Sequence, residues 1–149
     1  MSKTLEDWLS YDWLVRHQTS KQEISSLLAI SARDLAAAQL PDLPADWRLS
    51  IAYNAALQAA NAVLAASEYR AEKSAQHYRI IQSLAHTINL DATTIERLDA
   101  FRKKRNISSY DRPGAVSGRE AEEMITLAHV VYTAAQDWLK DHRPDLVDG

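Results

Sequence analysis

The stretch from Ala45 to about Ala66 constrains the fold more than any other part of this chain. Built as a helix, it carries Ile51, Ala55, Ala59, Ala62, Val63 and Ala66 along one side and Leu57, Ala60 and Leu64 along another. A helix that is apolar on two sides must be surrounded, so this one is the expected centre of the molecule. Its alanines allow neighbouring helices to approach closely. Breakers are scarce elsewhere too: 149 residues contain 3 glycines and 4 prolines, while the good helix formers alanine, leucine, glutamate and arginine abound. The expected class is all-α. A chain of this length is most simply one domain over residues 1–149, burying roughly two-thirds of its unfolded surface.

Periodicity and capping signals place the remaining helices. A short accessory helix is expected from Thr4 to about His17, with Leu5, Trp8, Leu9, Trp13 and Leu14 as its stripe. Ser20 and Glu23 form a capping-box pattern that opens a second helix to about Ala38, ended by the turn-rich Leu40 to Pro44. After a polar passage around Glu68 to Ser74, Tyr78, Ile81, Leu84, Ala85 and Ile88 mark a fourth helix ending near Asn89. Asp91 can cap a fifth from Ala92 to about Asn106, with Ile95, Leu98 and Phe101 inward. Ser117 and Glu120 form another capping box and open a last helix that ends before Pro144. Helices of this length with short connections form an antiparallel bundle. Residues 145–149 read as a frayed tail.

Composition excludes several function classes. With no cysteine there is no disulfide framework, thiolate metal site or cysteine nucleophile. Five histidines (His17, His77, His86, His129 and His142) show no ligand-type spacing, so neither a metal nor another cofactor is expected. Glycine-rich phosphate loops are missing. No signal peptide is evident and no stretch approaches a membrane span, which predicts a cytoplasmic protein with no membrane partner. A net charge of −3 offers no global nucleic-acid footprint, so anion binding would have to be local.

The local concentration lies in FRKKRNISSYDRPG, Phe101 to Gly114. Positions 95, 98, 102 and 105 advance by three, four and three, so Arg105 continues the inward stripe of its helix. Tyr110 would lie about 140° round an unbroken helix from Arg105. The two can meet only if the helix ends near Asn106 or Ile107, or if a second subunit supplies one of them. Asp111 with Pro113-Gly114 argues for such a break.

These residues resemble a known family, the HEPN domains (higher eukaryotes and prokaryotes nucleotide-binding). Ala52-Tyr53-Asn-Ala55-Ala56-Leu57 followed by Val63-Leu64 is similar to the family's long central helix, and Tyr69-Arg70 with Lys73, His77, Ile80 and Ile81 is similar to the loop and helix after it. Arg105-Asn106-Ile-Ser-Ser-Tyr110 stands where the family carries an Arg-polar-x-x-x-His motif. The likeness covers Leu49 to about Leu139 and leaves the first helix outside. It implies a four-helix core with short accessory helices, a homodimer that brings two Arg105 loops into one cleft, and binding of RNA or a nucleotide. It further implies one component of a toxin-antitoxin-like pair, beside a small nucleotidyltransferase partner, since a subset of the family carries Arg-x4-Tyr.

By the same resemblance Arg105 holds a phosphate and Asn106 orients it; Arg102, Lys103, Lys104 and Arg112, in the densest positive cluster of the chain, are expected to add substrate-binding charge. Tyr110 stands where the family's ribonucleases have histidine. A phenol titrating near about 10 is a poor base at neutral pH, whereas an imidazole near about 6.5 is well matched, so metal-independent ribonuclease activity is expected to be weak or absent. Tyr110 would then stack or donate, or accept a nucleotidyl group from the partner.

Plainer readings stand beside these. Arg102, Lys103 and Lys104 suit a helix C-terminus as charges complementing the macrodipole. Tyr110 can equally be a packing residue, and the whole loop can be a docking surface on a non-catalytic protein that regulates the nucleotidyltransferase. His77, at a helix start, supplies an acid-base group if it reaches Arg105 and is otherwise a core-edge histidine. Trp8, Trp13, Trp47 and Trp138 read as core and seam anchors, since of the four only Trp47, followed by Arg48, stands next to a cation in the way base-stacking modules require.

Overall fold

The computed structural model describes residues 4–110 and 115–147, with 107–110 described as backbone only. Its helices are α1 (Leu5–Ser10), α2 (Lys21–Ala38), α3 (Ala45–Ala66), α4 (Gln76–Gln82), α5 (Ala92–Tyr110) and α6 (Gly118–His142). Two short strands, β1 (Leu14–Arg16) and β2 (Tyr69–Ala71), are the other regular elements apart from 3-10 turns at Ser83–Ala85 and Pro144–Leu146. The all-α expectation holds, as a helical bundle.

α3 is central for the reason its sequence supplies. It packs along α2 on one side and α6 on the other, with α4 and α5 completing the surround. Ala52, Ala55, Ala56, Ala59, Ala60 and Ala62 are fully buried, as are Tyr53, Val63 and Leu64. Small side chains bring α2 close enough for the buried Ser31 hydroxyl to donate to the Ala55 carbonyl, 2.7 Å away across the helix seam. By length and hydropathy α3 also passes for a membrane-spanning helix, against expectation, but most of it is buried by its own protein. That is the property of a core helix.

Two arginines pin the ends of the bundle. Arg48 donates to the Ala38 carbonyl at the end of α2 (2.8 Å) and pairs with Glu122 at the start of α6 (2.6 Å), so one guanidinium ties three helices. At the other end Arg143 donates to the Ala66 carbonyl (2.6 Å) and pairs with Asp145 (3.0 Å). The tail expected to fray is therefore anchored through Val147: Leu146 is buried and Val147 packs on the core. α3 and α6 thus run in the same direction, while α5 runs against α6, as the Arg97–Glu123 and Lys104–Glu120 pairs require.

The first helix is shorter than its apolar stripe suggests. α1 has a capping box at Thr4 and stops at Ser10, after which Asp12 takes a left-handed backbone (φ 61°) and the chain extends. β1 then pairs antiparallel with β2, Val15 opposite Arg70, so the polar passage after α3 is a strand. Leu14 is buried within the strand pair and Trp13 is partly covered beside it; their spacing suits a helix, but Val15 is β-branched and Asp12 tolerates the turn. The fourth helix is also shorter, running from Gln76 to Gln82 into a 3-10 turn. Of the expected caps, Ser117 and Glu120 form a complete box (3.1 and 3.0 Å) and Asp91 takes the Thr94 amide (3.0 Å). Ser20 takes the Glu23 amide (3.1 Å), but Glu23 does not reach back; its carboxylate accepts from the Thr19 hydroxyl (2.5 Å) and meets His17 (2.8 Å).

Because Ala59 lies on the central helix and is fully buried, Ala59→Leu should overpack the core. The expected loss is about 1–3 kcal/mol in chemical denaturation with unchanged helix content, whereas Lys103→Leu on the exposed face of α5 should stay within about 0.5 kcal/mol.

Candidate functional site

α5 does not break where the sequence suggested. It remains helical through Tyr110, so positions 105 and 110 lie about 140° apart round one continuous helix and do not converge within the chain. Arg112 and the turn expected at Asp111 to Gly114 lie outside the described residues, as does the Tyr110 side chain.

What α5 does meet is the start of α4. An open cleft of about 480 Å³ lies between them, lined by Lys73, Ala75, Gln76, His77 and Tyr78 on one side and by Arg102 and Asn106 on the other. Arg102 and Asn106 are four residues apart and share one face of α5. Arg105 stands one step round the helix, half-buried, with its guanidinium 5.3 Å from the centre of the Tyr53 ring. That is a cation-π contact to the central helix. Arg102 is held by Asp99, one turn back, at 2.8 Å, and also faces the Tyr78 ring at 5.6 Å.

The other cations of the run go elsewhere. Lys104 reaches Glu120 at the start of α6 (2.7 Å), which makes it a strut between α5 and α6. Lys103 is largely exposed and lies 3.6 Å from Asp99. Neither lines the cleft. Of the expected substrate-binding residues, Arg102 is the one that the structure places there, joined by Lys73, which sequence reading had left within the resemblance and given no role.

The histidines sort themselves by their partners. His17 meets Glu23 (2.8 Å), His86 packs edge-on against Trp8, His129 meets Gln39 (3.1 Å), and His142 stacks on Trp138. His77 instead lies 6.3 Å, ring to ring, from Tyr53 and close enough to Arg105 and Arg102 to feel both charges. Partial burial, then those two guanidinium groups, hold its pKa below the ordinary 6.5. At neutral pH it is an uncharged imidazole beside two fixed cations, a form able to take a proton.

Tyr53 differs in kind. It is fully buried, its hydroxyl has no hydrogen-bond partner among the described residues, and burial pushes its pKa up to about 12 against the opposing pull of Arg105 and Arg102. It stays protonated and serves as the surface against which Arg105 is set. No group of three or more acidic or histidine side chains that could hold a metal exists among the described residues.

No protein-family model matches this chain, and no curated protein matches its sequence. The site therefore rests on its own geometry. Sequence reading reached His77 only as a conditional partner of Arg105, and missed Tyr78 and Gln76, whose place opposite Arg102 depends on how α4 docks.

The perturbed histidine gives a direct check. In two-dimensional NMR, the His77 imidazole should titrate below 6.5 and shift upward in Arg105→Gln, with the other four histidines unmoved. Since the unfolded chain binds this proton more readily than the folded one, His77 costs stability as pH falls below about 6.5 and has no such effect above it. A midpoint at or above 6.5 would contradict the arrangement.

Proposed function

We propose that the cleft between α4 and α5 holds the phosphates of RNA or of a nucleotide, and that the protein is a HEPN-like nucleic-acid-binding component of a toxin-antitoxin-like pair. The observation that carries this reading is the convergence of Arg102, Lys73 and a neutral His77 on one open cleft, with Arg105 beside it one step round α5, in a protein whose net charge is negative. Guanidinium groups match phosphate oxygens in geometry as well as charge. Arg102 is prepositioned by Asp99 and Arg105 by Tyr53, so less side-chain freedom is lost when an anion arrives.

The same residues define what chemistry is open to the site. On RNA, His77 would accept the proton of a 2′-hydroxyl as that oxygen attacks the adjacent phosphorus. Arg105 and Arg102 would hold the charge on the phosphoryl oxygens, and the bond to the 5′-oxygen would break with a proton returned to it. One imidazole would have to act first as base and then as acid. That requirement, together with the displacement of Tyr110 from Arg105, favours weak ribonuclease activity over strong. Asn106 lies on the cleft wall and would orient the bound group.

Fluorescence anisotropy with a labelled single-stranded RNA in EDTA tests this. Arg102→Ala and Arg105→Ala should each weaken binding roughly tenfold, the scale of one charged hydrogen bond. Lys104→Ala, which touches Glu120 and not the cleft, should leave binding within about twofold. His77→Gln should retain binding and remove any slow cleavage. Equal affinity of all four variants and the native protein would overturn the reading and favour a protein-docking role for α5.

A further inference from the structure

Beside the cleft the fold assembles a row that no stretch of the sequence contains. The Arg102 guanidinium lies 5.6 Å from the centre of the Tyr78 ring; Arg79 lies 5.5 Å from the same ring and 3.7 Å from the Trp13 ring; Trp13 lies 4.9 Å from Tyr11. Cations and aromatic rings therefore alternate from the cleft wall outward. The members come from three places: α5, α4, and the arm that joins α1 to β1. The arm is brought there by the pairing of β1 with β2 and by the Glu72 amide, which donates to the Trp13 carbonyl at 3.0 Å. Tyr11 is 45% exposed, and Trp13, Tyr78, Arg79 and Arg102 are each partly exposed.

We infer that this row is a base-stacking platform and that the ligand of the cleft is single-stranded RNA. Its phosphates meet Arg102, Arg105 and Lys73, and its unpaired bases lie along Tyr78, Arg79 and the Trp13-Tyr11 pair. The inference rests on the phosphate-binding reading of the cleft and adds to it the state of the strand. Alternating aromatic and guanidinium planes suit any unpaired base, because every base has a face and the flanking cations draw in the backbone. Bases in a duplex are already stacked on one another and cannot reach such a row. A mononucleotide would occupy the cleft alone. At about 3.4 Å per stacked nucleotide, the row has room for no more than about five bases.

The test compares four ligands by anisotropy in EDTA: an octamer of uridine, which forms no pairs, a uridine dinucleotide, an abasic ribose-phosphate octamer, and a hairpin duplex. Each is measured with the native protein, Arg79→Lys, which keeps the charge and removes the plane, and Tyr11→Ser. Circular dichroism checks folding, and Tyr11→Ser carries the test if Arg79→Lys perturbs the arm. The uridine octamer should bind about tenfold more tightly than the abasic strand or the hairpin, and each variant should lose about three- to tenfold for the octamer with dinucleotide affinity unchanged. Octamer binding that depends on Arg105 but equals abasic binding and ignores both variants would overturn the platform and leave the cleft reading standing. Failure of the native protein to bind either octamer or dinucleotide would overturn both.

Discussion

The close packing of α2 and α6 on the alanine faces of α3 is the constraint on which the rest of the molecule depends. Small side chains let helix backbones approach, and the approach is close enough for Ser31 to bond the backbone of α3 directly. Helices that near one another have little freedom to slide, because their interiors are packed like a solid. The positions of Arg48 and Arg143 follow, since each reaches a carbonyl or carboxylate fixed by that packing. With the ends pinned, the chain between α3 and α6 must return across the remaining side of α3. There α4 and α5 meet and the cleft forms.

Tyr53 links the core to the cleft. It belongs to α3 and is fully buried, yet its ring carries Arg105 on one side and stands beside His77 on another. A buried aromatic ring is a rigid support, and a guanidinium set against it is held in place by the core itself. Arg102 is held differently, by the Asp99 carboxylate one turn back on its own helix. The site thus combines one carboxylate-held and one ring-supported arginine with an imidazole that burial and both arginines keep unprotonated at neutral pH. Positioning by the core, and not by a loop, is what makes the arrangement precise enough to act on a phosphate.

Much of the fold was legible in the sequence because it rests on local signals. The central helix, the caps at Asp91 and Ser117 and the end of α6 before Pro144 follow from periodicity, short-range hydrogen bonding and backbone restriction, all contained within a few residues. The errors fall where pairing partners are remote. Leu14 to Arg16 fits a helical stripe until β2, more than fifty residues later, offers it a strand. Similarly, Leu146 and Val147 read as polar-flanked tail residues until the core beside α6 receives them.

The sequence alone determined that the protein is helical, that α3 lies at its centre, and that positive charge gathers on the fifth helix, since composition and periodicity are sums over neighbours along the chain. Only the tertiary structure decided which of those charges face a cleft and which brace a neighbouring helix, because Arg102 and Lys104, two residues apart in sequence, point to opposite sides of α5. It also decided that the histidine beside Arg105 is His77, from α4, and that Tyr11, Trp13, Tyr78 and Arg79 form a row with Arg102. Those are distances between residues far apart in sequence, and they exist only once the helices have packed.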